Sequence, residues 1–596
     1  MDTRGCTLVA LALLAAPAPG QTTTLVSLDS AGLQGNNPSD NHYVSISGEG
    51  RYVAFCSYAS NLVPGDANFA TDVFVRDRQL GVTTRVSVDS SGAEADGPSG
   101  SYGLALSSDG RFVAFGSWAD NLVPGDTNGK VDVFVHDRQT GVTERVSLGP
   151  AGLEGDGDSF YPSISADGRY VAFDSWATNL VAGDTNSTRD VFVRDRQNGV
   201  TVRASVSSAG VQGIYQSDSA SISLDGRWVA FESSATNLVS GDTNAKYDVF
   251  VHDLLTGTTE RVSVSSSGAQ ADDSSWRPSI SADGRSVAFT SWATNLVPSA
   301  GAGSDVFVHD RQTGATERAS VDSSGNPGDH ASDYPTITPD GRFIAFASIA
   351  SNLVPGDSNL HWDIFVRDLQ SGTTERVSVD RSGAQANDDS GDRCSTSGDG
   401  RCIAFPSWAT NLVTGDSNSY PDIFVRERSS VPGVDLCQPG VGSTIACPCA
   451  NPAASAPRGC DNSAGTGGAQ LSSSGSASLT VDTVVFLTNG ERPTATSVLL
   501  QGTVEVTNGL VFGQGVRCLG GALRRLYVKS ASGGSITAPG GGDPSVSARS
   551  AALGDPIAPN SNRWYAVYYR DPFVLGGCPA ASTFNITQTQ LVSWGP

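Results

Sequence analysis

Six loops of this chain place oxygen-bearing side chains in one spacing, Asp-x-Asn-x3-Asp. They are Asp66, Asn68 and Asp72; Asp126, Asn128 and Asp132; Asp184, Asn186 and Asp190; Asp242, Asn244 and Asp248; Asp357, Asn359 and Asp363; and Asp416, Asn418 and Asp422. Oxygen ligands two residues apart, followed by another carboxylate, are what a hard cation such as calcium needs. The EF-hand spacing is not met: in NLVPGDTNGKVD the fifth position is Lys130, and no glycine follows it. The same side chains also suit turns in which Asp and Asn bond the local backbone, the last Asp closing the start of a strand. A seventh loop, NLVPSAGAGSD, keeps only Asp305 and is an internal control: calcium would occupy six loops and leave this one empty.

The loops recur because the sequence around them recurs. A block of about 58 residues repeats seven times, most visibly at the turn glycines Gly50, Gly110, Gly168, Gly226, Gly284, Gly341 and Gly400. A fixed period of this length marks a repeat architecture. Each block offers four short β segments, in the third copy YPSIS (161–165), RYVAFDS (169–175), DVFVRDR (190–196) and TVRASV (201–206). Asp-Gly and Asn-Gly suit the tight turns between them. The second and third segments are nearly continuous apolar runs, as strands buried on both faces are. Stacked four-stranded sheets of this kind suit a β-propeller, in which each blade covers its neighbours. After DIFVRER (422–428) the last copy lacks its fourth segment, and the missing piece, TTTLVSL, lies at 22–28. The N-terminal strand is therefore expected to complete the last blade and close the ring, removing an exposed edge.

In such a ring the connections from second to third strand and from fourth to next first strand share one face, and both are long. Long loops on a rigid scaffold are where binding residues concentrate. Tyr43, Tyr102, Tyr161, Trp276 and Tyr334 stand near the start of inner strands and are placed to ring the channel mouth, where exposed aromatics beside carboxylates suit sugar rings or a peptide. Packing between blades is the other reading of these residues. Trp118, Trp176, Trp292 and Trp408 share one repeat position and read as structural. His136, His252 and His309 fall where other copies carry arginine, so they do not form a metal triad.

No GxSxG elbow, HExxH, Walker loop or dinucleotide fingerprint occurs. Carboxylates abound on the loop face, so an acid pair of glycosidase type is available, but no pair stands out and near-symmetric repetition works against a single active site.

The SxDGRxVAFxS…DVFVxDxxTGxTxRVS pattern resembles the WD-repeat-like propeller repeat of TolB-type periplasmic proteins, over about residues 22–428. The resemblance implies the propeller fold and no particular activity. The repeats here are longer, and the excess lies in the two loops.

Residues 7–16, TLVALALLAA, after Arg4 and before Ala18 and Gly20, read as the apolar part of a signal peptide over 1–20, too short to span a bilayer. No later stretch reads as a transmembrane helix. The net charge is −23, and residues 430–596, with 9 Lys+Arg against 8 Asp+Glu, carry none of it. A strongly acidic repeat region argues against nucleic acid and favours cations or a neutral or basic partner. Cys437, Cys447, Cys449, Cys460, Cys518 and Cys578 form an even cluster in an exported chain, as disulfides do, in any of fifteen connectivities; zinc at Cys447 and Cys449 is the alternative. Cys394 and Cys402 flank a hairpin of the seventh copy and are placed to cross-link.

The expected organisation is all-β: a signal peptide (1–20), a seven-bladed propeller (21–430), a Cys/Gly/Pro-rich linker (431–463) and a disulfide-containing β-sandwich or jelly-roll-like domain (464–596). The last domain resembles C-terminal modules of exported planctomycete-type bacterial proteins, notably in FGQGVRCLGG (512–521) and YYRDP (568–572). The expected function is that of a secreted, periplasmic or cell-surface binding or scaffold protein, engaging protein or polysaccharide on its acidic long-loop face. A carbohydrate-active hydrolase or lyase at the channel mouth, and a purely structural surface protein, are the alternatives.

Overall fold

The computed structural model describes residues 21–299, 303–391 and 393–428; in the C-terminal part it describes 434–436, 469–474, 477, 479, 482–491, 494–512, 515–532, 534–540, 542–558, 561–570, 584–587 and 589–594. The expected signal peptide and nearly all of the linker lie outside the described residues. The chain divides into two compact units, one of them Thr22–Glu427.

In that unit the repeats form seven four-stranded antiparallel sheets. The third contains Ser159–Ile164, Tyr170–Ser175, Asp190–Asp195 and Val200–Arg203. Its fourth strand stops earlier than the sequence pattern predicts, because the chain turns back there and Val206 bridges Gln212. The apolar second and third strands are buried on both faces, as a strand sandwiched between two other sheets must be.

Seven apolar clusters alternate with the seven sheets. One joins Val191 and Val193 to Val229 and Phe231 of the next sheet. Another joins Cys402, Ala404 and Val425 of the seventh sheet to Val44, Val53 and Phe55 of the first. The sheets therefore close on themselves as a β-propeller, and no apolar sheet face is left bare.

The turn glycine serves this docking twice. Gly168 has φ +73°, which an L side chain rarely adopts, and a Cβ there would lie 2.2 Å from the ring of Phe112 in the preceding sheet. Phe112 lies between the guanidinium groups of Arg111 and Arg196, each 4.6 Å from its centroid. Arg111 also forms a paired bridge with Asp137, at 2.8 and 2.6 Å. The DGR motif is thus a turn, a docking surface and a salt bridge in three residues.

Closure uses the N-terminal strand. Thr22–Leu25 pairs antiparallel with the third strand of the seventh sheet, Thr22 opposite Glu427 and Leu25 opposite Phe424. Ser27 Oγ donates to Asp422 Oδ1 at 2.5 Å, and Thr23 Oγ1 donates to the Val379 carbonyl at 2.5 Å.

One cysteine expectation is corrected. Cys394 and Cys402 form no disulfide. Ser395 pairs with Ala404 and Thr396 with Ile403, so the two cysteines face opposite sides of the sheet. Cys394 packs in the cluster shared with the sixth sheet and Cys402 in the cluster shared with the first. The side chains of Cys437, Cys447, Cys449, Cys460, Cys518 and Cys578 lie outside the described residues.

The C-terminal unit contains a six-stranded antiparallel sheet, a three-stranded sheet and the hairpin Val504–Phe512/Gly515–Gly520. Leu471 and Phe486 of the smaller sheet share one core with Leu499, Tyr565 and Trp594 of the larger. One element departs from the all-β expectation: Val546–Ala552 is helical, in the alanine-rich segment VSARSAA, and buries Val546 and Ser550.

Deleting residues 22–28 should leave the seventh sheet with three strands and Asp422 without its serine. The expected outcome is loss of the single cooperative unfolding transition in calorimetry; a deletion variant that melts as the full chain does would contradict the closure.

Candidate ligand-binding site

The repeated Asp-x-Asn-x3-Asp loops fold around an arginine. In the second sheet Arg145 Nη1 lies 3.0 Å from Asp126, 3.0 Å from Asp132 and 3.1 Å from Glu154. Asp132 is fully buried; its Oδ1 accepts the Ser147 hydroxyl, and Asn128 Nδ2 donates at 3.1 Å to Oδ2, the oxygen that faces Arg145. Arg85, Arg203, Arg261 and Arg376 take the same place in other sheets. The position that the spacing offers to a metal is held in these sheets by a guanidinium from the fourth strand. The fifth loop, which lacks the first Asp and the Asn, still pairs Asp305 with Arg318 at 3.3 Å.

The seventh sheet differs. Its fourth strand comes from the N-terminus, and Leu25 stands where the others have arginine. Asp416 and Asp422 receive Gln34 Nε2 instead, at 2.9 and 3.2 Å. Burial, with the neighbouring Asp416 charge, pushes Asp422 up to about 6.

The five aromatics marked out in the sequence divide into two groups. Tyr43, Tyr161 and Tyr334 line a cavity of about 240 Å³ framed by the first strands of all seven sheets. Tyr102 and Trp276 do not line it. They precede the equivalent position by one residue and pack edge-on against Trp118 and Trp292, at 6.3 and 5.6 Å between centroids. The cavity position is occupied around the ring by Tyr43, Gly103, Tyr161, Ser219, Arg277, Tyr334 and Arg393. It lies two residues after Ser159, whose strand partner Ser175 is the last residue before a long loop, and so at the long-loop end of the channel. A register shift in the first strand makes the site, and Tyr161, Ser219, Arg277 and Tyr334 hold φ of +50° to +55° there. Such backbone is strained in residues with a Cβ and persists only where the surroundings impose it.

Two cations therefore enter a channel inside an acidic domain. Arg277 stacks over Tyr334 at 3.6 Å and pairs with Asp333 at 2.5 Å. Arg393 lies 4.6 Å from the Tyr43 centroid, 5.6 Å from Tyr334 and 6.0 Å from Tyr161. Burial pushes the Tyr43 phenol well above its usual range.

Beneath the cavity runs a polar network that the sequence reading missed. Arg189 bridges Asp174 at 3.0 Å and Asp218 at 2.6 Å; Asp218 shares a hydrogen bond with Glu232; Glu232 accepts the Arg277 backbone N–H at 2.6 Å; and Asp333 accepts Thr290 at 2.8 Å. Burial and then the Asp218 charge push Glu232 well above the usual carboxylate range. Burial also opposes ionisation of Asp218, but hydrogen bonds from Glu232 and Gln216 and the Arg189 charge outweigh it and hold that carboxyl down. The signal was present in one slot of the repeat, VAFxS, which reads Cys56, Gly116, Asp174, Glu232, Thr290, Ala347 and Pro406. Charge in an otherwise small or apolar slot was the departure to follow.

The repeated tryptophans, read from the sequence as structural, stand half in solvent. Trp118, Trp176, Trp292 and Trp408 are 41%, 44%, 56% and 43% exposed, and Tyr58, at the same position in the first sheet, is 50% exposed. Each directly follows a second strand, where its N–H donates to a carbonyl preceding the first strand, such as Trp176 to Asp158 at 2.9 Å. His136, His252 and His309 are buried and bond Thr143, Thr259 and Thr316 through Nδ1 at 2.8, 2.9 and 2.9 Å, as a lattice rather than a metal site would have them.

Two predictions follow from the loop carboxylates. Leu25→Arg should place a guanidinium between Asp416 and Asp422 and raise stability by about 1–2 kcal/mol, read as a higher melting temperature; a lower one would contradict the equivalence of Leu25 and Arg145. The second concerns pH. Burial pushes Asp66, Asp126 and Asp184 up to about 6. Their folded state holds more protons than the unfolded chain, whose carboxyls titrate near about 3.9, so stability from these groups is present below that pH and lost as pH rises through 6. Asp195 and Asp310, held down at about 2 by Arg169 and Arg285, act oppositely and lose their contribution as pH falls toward 2. The melting temperature should peak at about pH 4–5; a steady rise from there to pH 8 would refute the assignment.

No family model matches the chain, and no curated protein matches it. Solved β-propellers do. A protein described as a TolB of Agrobacterium tumefaciens is 17% identical with a TM-score of 0.30, covering 47% of this chain and 80% of that one. TolB from Acinetobacter baumannii is 17% identical with a TM-score of 0.31, covering 51% of this chain and 58% of its own. The β-propeller domain of the Trilobed protease from Pyrococcus furiosus is 9% identical with a TM-score of 0.40, covering 66% of this chain and 97% of that domain.

Proposed function

We propose that the chain is an exported, non-enzymatic, seven-bladed propeller closed by its N-terminal strand. It binds a protein or polysaccharide partner on the long-loop face, with the C-terminal β-sandwich-like part as accessory or anchor. The observation that carries this reading is the set of half-exposed aromatics, Tyr58, Trp118, Trp176, Trp292 and Trp408, at one position around the channel mouth. Large apolar side chains repeated on one face of a soluble domain mark an interaction surface, and aromatic anchors contribute most to such contacts.

A hydrolase or lyase at the channel mouth is the competing reading. Asp218 and Glu232 are the carboxylate pair it would use, since they break the symmetry of the ring. Neither lines the cavity, and both are engaged in holding Arg189 and Arg277, which favours binding over turnover.

The test incubates the full mature chain with cell-envelope fractions and a polysaccharide panel, measuring retention and released product together. Retention without product is expected, reduced at least tenfold in Trp176→Ala/Trp408→Ala. Product release abolished by Glu232→Gln would overturn the reading.

A further inference from the structure

Arg393 is the feature of the channel that its own surroundings leave unexplained. The other channel arginine, Arg277, has a carboxylate partner in Asp333. Arg393 has none: among the described residues it makes no ion pair and no side-chain hydrogen bond, and it is held only over the faces of Tyr43, Tyr334 and Tyr161. A guanidinium carries five N–H donors arranged for a carboxylate or phosphate fork. A half-buried cation without an anion beside it attracts one.

The rim places a second condition on the ligand. The repeat region carries the whole net charge of the chain, and Asp96, Asp156, Asp272 and Asp388 are exposed on the loops beside the aromatic positions. A ligand with acid groups repeated along its length, such as a polyuronate or a nucleic acid, would satisfy Arg393 once and be repelled elsewhere. The anion must be a single negative group on an otherwise neutral or basic ligand. A polypeptide carries such a group at its C-terminus by construction, and a chain end is narrow enough to enter a cavity of about 240 Å³.

We propose that the channel mouth captures the C-terminal carboxylate of a neutral or basic peptide segment. Arg393 is its direct partner, Tyr161 and Tyr334 are the walls, and the aromatic positions outside are the platform for the preceding residues. This rests on the binding reading above and narrows it to one ligand class. The asymmetry of the ring serves it: Gly103 places no side chain in the cavity, and its lack of a Cβ lets the strand of Tyr161 pack close, since a Cβ there would come 2.8 Å from the Tyr161 Cα.

The test uses the full mature chain and two fluorescein-labelled random octapeptide pools, one with free C-terminal carboxylates and one amidated, screened for binders and titrated by anisotropy. Free-acid binders are expected, losing at least tenfold affinity on amidation. Arg393→Met should remove that difference without lowering the melting temperature, because Arg393 holds no other charge in place. Arg393→Lys should keep part of it. Salt should weaken the free-acid binders more than their amides. Amidated and free peptides binding equally would overturn the inference while leaving the binding face intact, as would retention of neutral glycans unaffected by Arg393→Met. Absence of any peptide binder would overturn it too. Loss of all retention, glycan and envelope included, would instead count against the binding reading itself.

Discussion

Each sheet of the ring is organised around one buried aspartate at the start of its third strand. Asp132 is representative: one oxygen accepts the serine of the fourth strand, the other an asparagine of the long loop and an arginine two residues before that serine. A carboxylate so placed is tolerated because both of its oxygens are hydrogen-bonded. Third strand, fourth strand and long loop are thereby joined at a single point. The seventh copy, Asp422, draws its serine from Ser27 at the other end of the chain, so the interaction that shapes each blade also closes the ring.

The same geometry is repeated in five of the six Asp-Asn-Asp loops, each of which holds an arginine. The spacing that satisfies a hard cation also satisfies a guanidinium, because both ask for convergent oxygens. The sequence pattern alone does not distinguish a metal from an arginine supplied by a strand twenty residues later. The seventh sheet, with leucine in place of that arginine, carries the carboxylates without the cation. Its buried pair is held instead by Gln34, a neutral donor, and burial with the Asp416 charge pushes Asp422 up to about 6.

Much of the architecture could be read in advance, and for a stated reason. Glycine with positive φ, apolar doublets and Asp-Gly turns are local signals, and seven copies of each remove their ambiguity. What could not be read were features set by contacts between copies. Tyr161 stands seven residues before its turn glycine and Tyr102 eight; the offset is in the sequence, but that only the former position faces the channel follows from the irregular pairing of the first strand. Tryptophans at one repeat position look like packing until it is known that they follow the last paired residue of a strand and stand half in solvent. Cys394 and Cys402 look poised to bond across a hairpin, but an odd offset in the register sends them to opposite faces.

Repetition gives the ring its stiffness and its departures give it a site. A symmetric propeller would present seven equal residues to the channel and could prefer no orientation of a ligand. Here the third to fifth sheets carry Asp174, Glu232 and Thr290 in the small-residue slot, and with Arg189, Asp218 and Asp333 they fix the backbone and side chain of Arg277 on one side of the cavity. The strained φ values of Tyr161, Ser219, Arg277 and Tyr334 are tolerated because a closed ring cannot relax one sheet without moving its neighbours. The cavity is therefore formed before any ligand arrives, so binding there has little ordering cost to meet. A preformed cationic pocket within an anionic rim would, under the proposed binding role, discriminate in two stages: the rim by overall charge, and the pocket by the placement of a single opposite charge.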